Sequence, residues 1–301
     1  MLGYLGPAGT FTHQALLTLT ADEVRPFDTV RAALEAVRAG DVEAALVPIE
    51  NSVEGGVSAT LDYLGHGDRL VITGEVLLPV QFGLYVRPGT VLGDVRRVLT
   101  HSHAAAQTRD WVGMHLPQAS MSDASSTAAA AAEVADPSSR YDAAICAPIA
   151  GELYGLVAAA SEIADNGEAV TRFVLVAPAG TVPERSGADK TTLVAYMRED
   201  HPGALLEILE QFASRGVNLS RIESRPTKTG LGSYFFSIDA EGHLFDKRIA
   251  EAMMGLHRVC KEVIFLGSYP RADGVAPSVP YGATDEDYVA AATWLTRLRG
   301  R

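Results

Sequence analysis

The chain has 301 residues, 47% of them apolar, which is enough for two domains of ordinary size with true cores. Its formal charge of −12, from 37 acidic and 25 basic side chains, comes without a basic block ahead of the extreme C-terminus, which excludes a nucleic-acid backbone as partner and leaves room for an anionic small molecule held by local donors. There is no apolar run of membrane-spanning length and no charged leader, and Cys146 and Cys260 stand far apart in apolar stretches as buried thiols, so a cytoplasmic protein without disulfides, metal or other cofactor is expected.

A short strand at Gly3-Tyr4-Leu5 leads through Gly6-Pro7-Ala8-Gly9-Thr10 into a helix from Thr12 to Leu19. Strand, glycine-rich turn and helix together aim free N–H groups and the helix dipole at whatever enters the turn. Neither a Gly-Lys-Ser/Thr continuation nor the spaced glycines of a dinucleotide fingerprint follows, and Thr10 or Thr12 also suits a plain helix cap. A second helix over Thr29–Ala39 closes at Gly40, and a buried strand, Val42–Val47, stops at Pro48. Beyond it Glu50, Asn51 and Ser52 offer three consecutive hydrogen-bonding side chains at a strand exit, which reads equally as a binding loop or as a turn.

From Val71 to Val86 the pattern is extended, with Pro79 better suited to a hinge than to a central strand. A strand at Val95–Thr100, a helix through Ala104–Gln107, an alanine-rich helix beginning at Ser125-Ser126-Thr127 and a strand at Tyr141–Cys146 continue the alternation. Ser126 and Thr127 are caps by position and ligand donors by extension. His101-Ser102-His103 turns two rings to one side of an extended chain, but no third ligand is near and no metal is expected. After Tyr154-Gly155-Leu156 comes the apolar strand Val170–Val176, with Thr171 and Arg172 at its start, where fixed geometry suits the binding of a carboxylate. Strand and helix thus alternate in two α/β lobes around a cleft.

Past Pro178 the residues 179–189 form a polar linker punctuated by Gly and Pro. Strand Thr191–Met197, helix Gly203–Ala213, strand Leu219–Arg225, a turn across Pro226 to Gly232, strand Ser233–Ala240, helix Asp246–Lys261 and strand Val263–Leu266 give the βαββαβ order of a ferredoxin-like unit. Val289, Ala292, Leu295 and Leu298 mark an amphipathic terminal helix.

Gly6-Pro7-Ala8-Gly9-Thr10-Phe11-Thr12, Pro48-Ile49-Glu50-Asn51-Ser52, Thr100-His101 with Ala106-Gln107, Tyr154-Gly155-Leu156 and Thr171-Arg172-Phe173, followed by Pro202-Gly203-Ala204-Leu205 and Ile222-Glu223-Ser224-Arg225-Pro226, resemble in order and spacing the prephenate dehydratase family with its C-terminal ACT domain. The resemblance implies a two-lobed α/β catalytic domain like a type II periplasmic binding protein over residues 1–178, with hinges near 76–80 and 160–170, an α+β ferredoxin-like ACT domain over 190–268, and a tail over 269–301. It implies the conversion of prephenate to phenylpyruvate, carbon dioxide and water without a cofactor, with Thr171 essential at the departing hydroxyl. Substrate contacts are implied for Thr10, Phe11, Glu50, Asn51, Ser52, Thr127, Arg172 and Phe173. Arg172 and the N–H groups around Gly9 and Thr10 would take the side-chain carboxylate, Phe11 or Phe173 would wall the ring, and Glu50 or water would supply the proton.

L-Phenylalanine is the implied effector, held by Asn218, Leu219, Gly203, Ala204, Leu205, Glu223, Ser224 and Arg225, with a homodimer or homotetramer formed through the ACT domains. The family usually carries Asn two residues before the threonine of Thr-Arg-Phe; Ala169 stands there, with Asn166 close by. Arogenate dehydratase and a non-enzymatic amino-acid-sensing binding protein are the rival readings.

Overall fold

The computed structural model describes residues 1–53, 55–65, 69–180, 182–227 and 234–300, and the chain divides into two compact units, Met1–Thr60 with Val76–Val174 and Leu61–Glu75 with Leu175–Arg301. The chain opens with β1 (Leu2–Leu5), α1 (Phe11–Leu17), β2 (Val24–Phe27), α2 (Val30–Ala39), β3 (Ala44–Asn51), the short β4 (Gly55–Gly56), α3 (Ser58–Leu64) and β5 (Leu70–Pro79). β6 (Gly83–Val86), β7 (Arg97–Thr100), α4 (Ser102–Gln107), α5 (Arg109–His115), β8 (Ser120–Asp123), α6 (Thr127–Ala135), β9 (Ala143–Cys146), α7 (Pro148–Leu153), β10 (Val157–Ala160) and β11 (Val170–Pro178) follow. One sheet runs β2-β1-β3-β11-β5 with β4 on β3, and the other runs β10-β6-β9-β7-β8.

β1 pairs in parallel with both β2 and β3, and α1 and α2 supply the crossovers, as a parallel pair requires. Pro26 is tolerated because β2 is an edge strand. Residues 80–82 and 161–169 carry the chain between the sheets, and these crossings bond to each other: Val80 N–H donates to Ala169 O at 2.7 Å and Ile163 N–H to Phe82 O at 2.9 Å. Ala169 is fully buried at this junction, packed in the core of the second sheet. Asn166, by contrast, accepts the N–H of Glu168 at 3.0 Å in a local turn.

Several elements depart from expectation for physical reasons. β3 does not stop at Pro48 but continues to Asn51, because its pairing with β1 has already ended at Leu46 and its last residues pair with β4. β9 starts at Ala143 because the Asp142 carboxylate takes the N–H groups of Arg96 and Arg97, at 3.0 and 2.8 Å. β8 and β10 carry no alternating pattern; they are strands because β7 and β6 offer them open edges.

The second unit contains β12 (Asp189–Tyr196), α8 (Ala204–Ala213), β13 (Leu219–Pro226), β14 (Tyr234–Glu241), α9 (Lys247–Val259), β15 (Glu262–Pro270) and α10 (Asp285–Leu298). Its antiparallel sheet has the order β13-β14-β12-β15, the βαββαβ arrangement, and Leu193, Ile208, Phe212, Ile238, Ile249 and Leu256 build the core. Most of the expected turn from Pro226 to Gly232 lies outside the described residues. α10 forms as expected and is closed at its start by a capping box between Thr284 and Asp287.

Candidate functional site

A cavity of about 240 Å³ opens in the first unit between the two sheets, where α1, β3, β11 and the residue 80–82 crossing face α4 and the start of α6. Gly9 makes the approach possible: its φ is +87°, and a Cβ there would stand 3.2 Å from Ala150 and 3.5 Å from Ala128. Tyr154 pins the same turn by donating from its hydroxyl to Ala8 O at 3.3 Å.

The turn is not the anion cradle that its glycines suggest. Gly9 N–H donates to His13 Nδ1 at 3.1 Å and Thr10 N–H to Pro7 O at 3.4 Å, so the donors expected for a carboxylate are already engaged. His13 stays an acceptor because burial lowers its pKa, and its ring stacks on Tyr4 with centroids 4.8 Å apart. Thr10 caps α1, accepting His13 N–H at 3.3 Å, while still lining the cavity.

Apolar surface comes from Phe11, Val80, Phe82 and Phe173, with Phe11 edge-on to Phe82 at 5.4 Å. The polar center is on the two strands. Ser52 locks the end of β3 to the start of β11: its N–H donates to Val170 O and its Oγ accepts Val170 N–H, both at 2.9 Å. This registers Asn51 beside Thr171, and Asn51 Nδ2 donates to Thr171 Oγ1 at 2.8 Å. The orientation of the amide is fixed because Asn51 Oδ1 accepts Val53 N–H at 2.8 Å. Thr171 is therefore the acceptor in this pair, and its own proton has no acceptor among the described residues.

Glu50 and Arg172 are not on the cavity wall. Successive residues of a strand point to opposite faces, so Thr171 and Phe173 face the cavity while Arg172 turns away and meets Glu50, Nη1 to Oε2 at 3.4 Å. Neither the carboxylate clamp expected of Arg172 nor the proton supply considered for Glu50 fits that position, and Ser52 serves as a backbone lock. Thr127 lines the cavity beside Ser125 and Ser126, whose Oγ caps α6 by accepting Ala129 N–H at 2.9 Å. His101, His103 and Gln107 complete the polar wall. In the sequence, Gln107 stands out only as a motif residue, His103 only as half of the His101-Ser102-His103 pair, and His101 as both.

The expected effector residues are dispersed over the second unit. Gly203 takes φ +96° ahead of α8; Ala204 is buried beside a cleft of about 20 Å³, and Leu205 is exposed. Asn218 uses its carbonyl to accept Glu241 N–H at 2.9 Å, and Leu219 opens β13. Glu223, Ser224 and Arg225 lie on β13, the edge strand of its sheet, where Glu223 is 3.7 Å from Arg221, Ser224 is exposed and Arg225 is 3.5 Å from Asp62. Among the described residues no group of three or more His, Cys, Asp or Glu is arranged to hold a metal ion.

Comparison with known proteins places this geometry in context. The family model for prephenate dehydratase matches residues 2–181 and that for the ACT domain residues 191–257. A prephenate dehydratase of Amycolatopsis methanolica is 46% identical over 99% of this chain and 97% of its own length. The crystal structure of a prephenate dehydratase in complex with L-Phe from Arthrobacter aurescens is 52% identical, covers 100% of this chain and 99% of its own, and has a TM-score of 0.95. A structure described as a novel type of quorum quenching acylase, GqqA, is 29% identical over 89% of this chain and 97% of its own, with a TM-score of 0.81.

Proposed function

The chain belongs to the prephenate dehydratase family and carries an ACT domain, and from that premise we propose how its cavity turns prephenate into phenylpyruvate, carbon dioxide and water. The observation that carries the reading is the oriented pair Asn51–Thr171 at 2.8 Å beside an aromatic wall. The product ring is aromatic, so the driving force is built into the substrate and the barrier lies in making the ring hydroxyl leave. Thr171 donates its proton in a hydrogen bond to that oxygen, and accepting a bond from Asn51 strengthens Thr171 as a donor. Phe11, Phe82 and Phe173 enclose the ring and strip water from the ring carboxylate, a group that must not be gripped if it is to depart as carbon dioxide. Gln107 and the hydroxyls of Ser125 to Thr127 are the neutral donors suited to the pyruvyl carboxylate.

The hinge expected near 76–80 and 160–170 is assigned to the crossings 80–82 and 161–169, because β5 runs on to Pro79, and L-phenylalanine regulates the enzyme through the ACT domain. The supports for regulation are the match to the ACT model and the L-Phe bound in the Arthrobacter aurescens relative. A second copy completes the effector site, because the residues assigned to it lie on an edge strand and an exposed helix start. The test is phenylpyruvate release from prephenate by purified protein, with and without phenylalanine. Thr171→Ala should lose about 10²- to 10³-fold in kcat, and Thr171→Ser should retain part of it because the hydroxyl remains. Equal turnover in all three proteins removes Thr171 from the chemistry, and faster turnover of arogenate than of prephenate moves the substrate assignment to the amino acid.

A further inference from the structure

The cavity must receive a dianion and release water, yet among the described residues its wall carries no lysine, arginine, aspartate or glutamate. Among the described residues the imidazoles of His101 and His103 are the acid–base side chains on it. The two rings are not equivalent. His101 Nδ1 accepts the N–H of His103 at 3.3 Å as the N-cap of α4, and a proton on that nitrogen would turn the acceptor into a donor and break the cap. His103 stands edge-on to His101 with ring centroids 4.7 Å apart and is exposed, so solvent can recharge it.

We propose that His103, as an imidazolium, is the acid of the reaction and gives its proton to the departing ring hydroxyl while Thr171 and Asn51 hold that oxygen. The proposal rests on the dehydratase reading above. The ring C–O bond breaks with its electron pair, and the oxygen takes the imidazolium proton and leaves as water. The C–C bond to the ring carboxylate breaks at the same stage; its pair completes the aromatic ring and carbon dioxide departs. Neutral His103 then takes a proton from solvent, which balances the cycle without an oxidant or reductant. The groups that the other elements turn to the same cavity, Thr10 and Thr12 of the α1 turn, Asn51, Thr171, and Ser125 to Thr127, do not titrate near neutrality.

The experiment follows kcat and KM for prephenate between about pH 5.5 and 9, with the enzyme-free rate subtracted, in the wild type, His103→Gln, His103→Ala and His101→Gln. Wild-type kcat should fall as pH rises through one ionisation. His103→Gln should lower kcat by about 10²-fold with little change in KM and flatten the profile, and added imidazole should restore turnover to His103→Ala. A wild-type pH profile in His103→Gln, or loss of the pH dependence in His101→Gln with His103→Gln unaffected, overturns the assignment. A folded wild type that turns over no prephenate at any pH overturns the dehydratase reading and this proposal with it.

Discussion

Thr171 matters less as an isolated hydroxyl than as the receiving end of an oriented amide. The chain Val53 N–H to Asn51 Oδ1 and Asn51 Nδ2 to Thr171 Oγ1, each 2.8 Å, decides which way the Thr171 proton can point. Asn51→Asp keeps the acceptor for Val53 but replaces the donor with a carboxylate that would draw the Thr171 proton to itself. Its kcat should fall by about 10²-fold while its thermal midpoint stays near that of the wild type. Steady-state kinetics beside a melting curve checks both, and a normal kcat would separate Asn51 from the chemistry. The neighboring Arg172 shows the limit of reading residue types alone. A guanidinium beside the threonine proposed for catalysis looks like a carboxylate clamp, yet the two-residue period of β11 sends it to the opposite face, where Glu50 meets it at 3.4 Å. The buried thiols take no part: burial pushes Cys146 up to about 12 and Cys260 up to about 11, which leaves both as neutral packing groups.

At the scale of elements, strands owe their limits to neighbors as much as to their own residues. β15 is bulged at Leu266, next to Gly267: Gly267 pairs with Thr192 and Phe265 with Leu193, so the register slips between them. Gly267 has φ +133°, and a Cβ there would come 2.2 Å from Ile72 O on β5, so backbone rather than a movable side chain blocks it. Gly267→Ala should therefore destabilise the fold by about 3 kcal/mol or more, read as a lower urea midpoint. An unchanged midpoint would mean that β5 can yield at Ile72. Helix limits were easier to anticipate, because Thr29 and Gly40 close α2 with local hydrogen bonds and a left-handed cap. β8 and β10 leave no such mark in the chain, because edge pairing, and not a residue pattern, makes them strands.

For the molecule as a whole, charge pairs set the acid limit. Burial opposes the charge on Asp142, but the N–H groups of Arg96 and Arg97 more than offset it and hold its carboxyl below the usual range. Arg271 does the same for Asp273, and bonds from Lys247 N–H and Arg185 outweigh the burial of Asp285. Carboxylates with lowered folded values stabilise the protein above the ordinary carboxylate range, and that stability is lost as pH falls below about 4. His13, lowered by burial, adds a loss that begins below about pH 6.5, because the unfolded chain binds the proton more readily. The urea midpoint should therefore be flat near neutrality, decline gently below about pH 6.5 and fall steeply below about pH 4; a midpoint that rises on acidification would contradict these assignments.

The α/β alternation, the βαββαβ unit, the family and the strand that presents Thr171 are legible in the chain alone, because period, caps and motif order act over a few residues. Folding adds that the Gly9 turn spends its donors on His13 and Pro7, that Ser52 locks Asn51 against Thr171, and that His101 and His103 share a cavity from which Glu50 and Arg172 are turned away. Those relations join residues as many as 120 positions apart, as Asn51 and Thr171 are. Sheet register and strand facing arise only when the strands pair, so side chains adjacent in the chain part while distant ones meet.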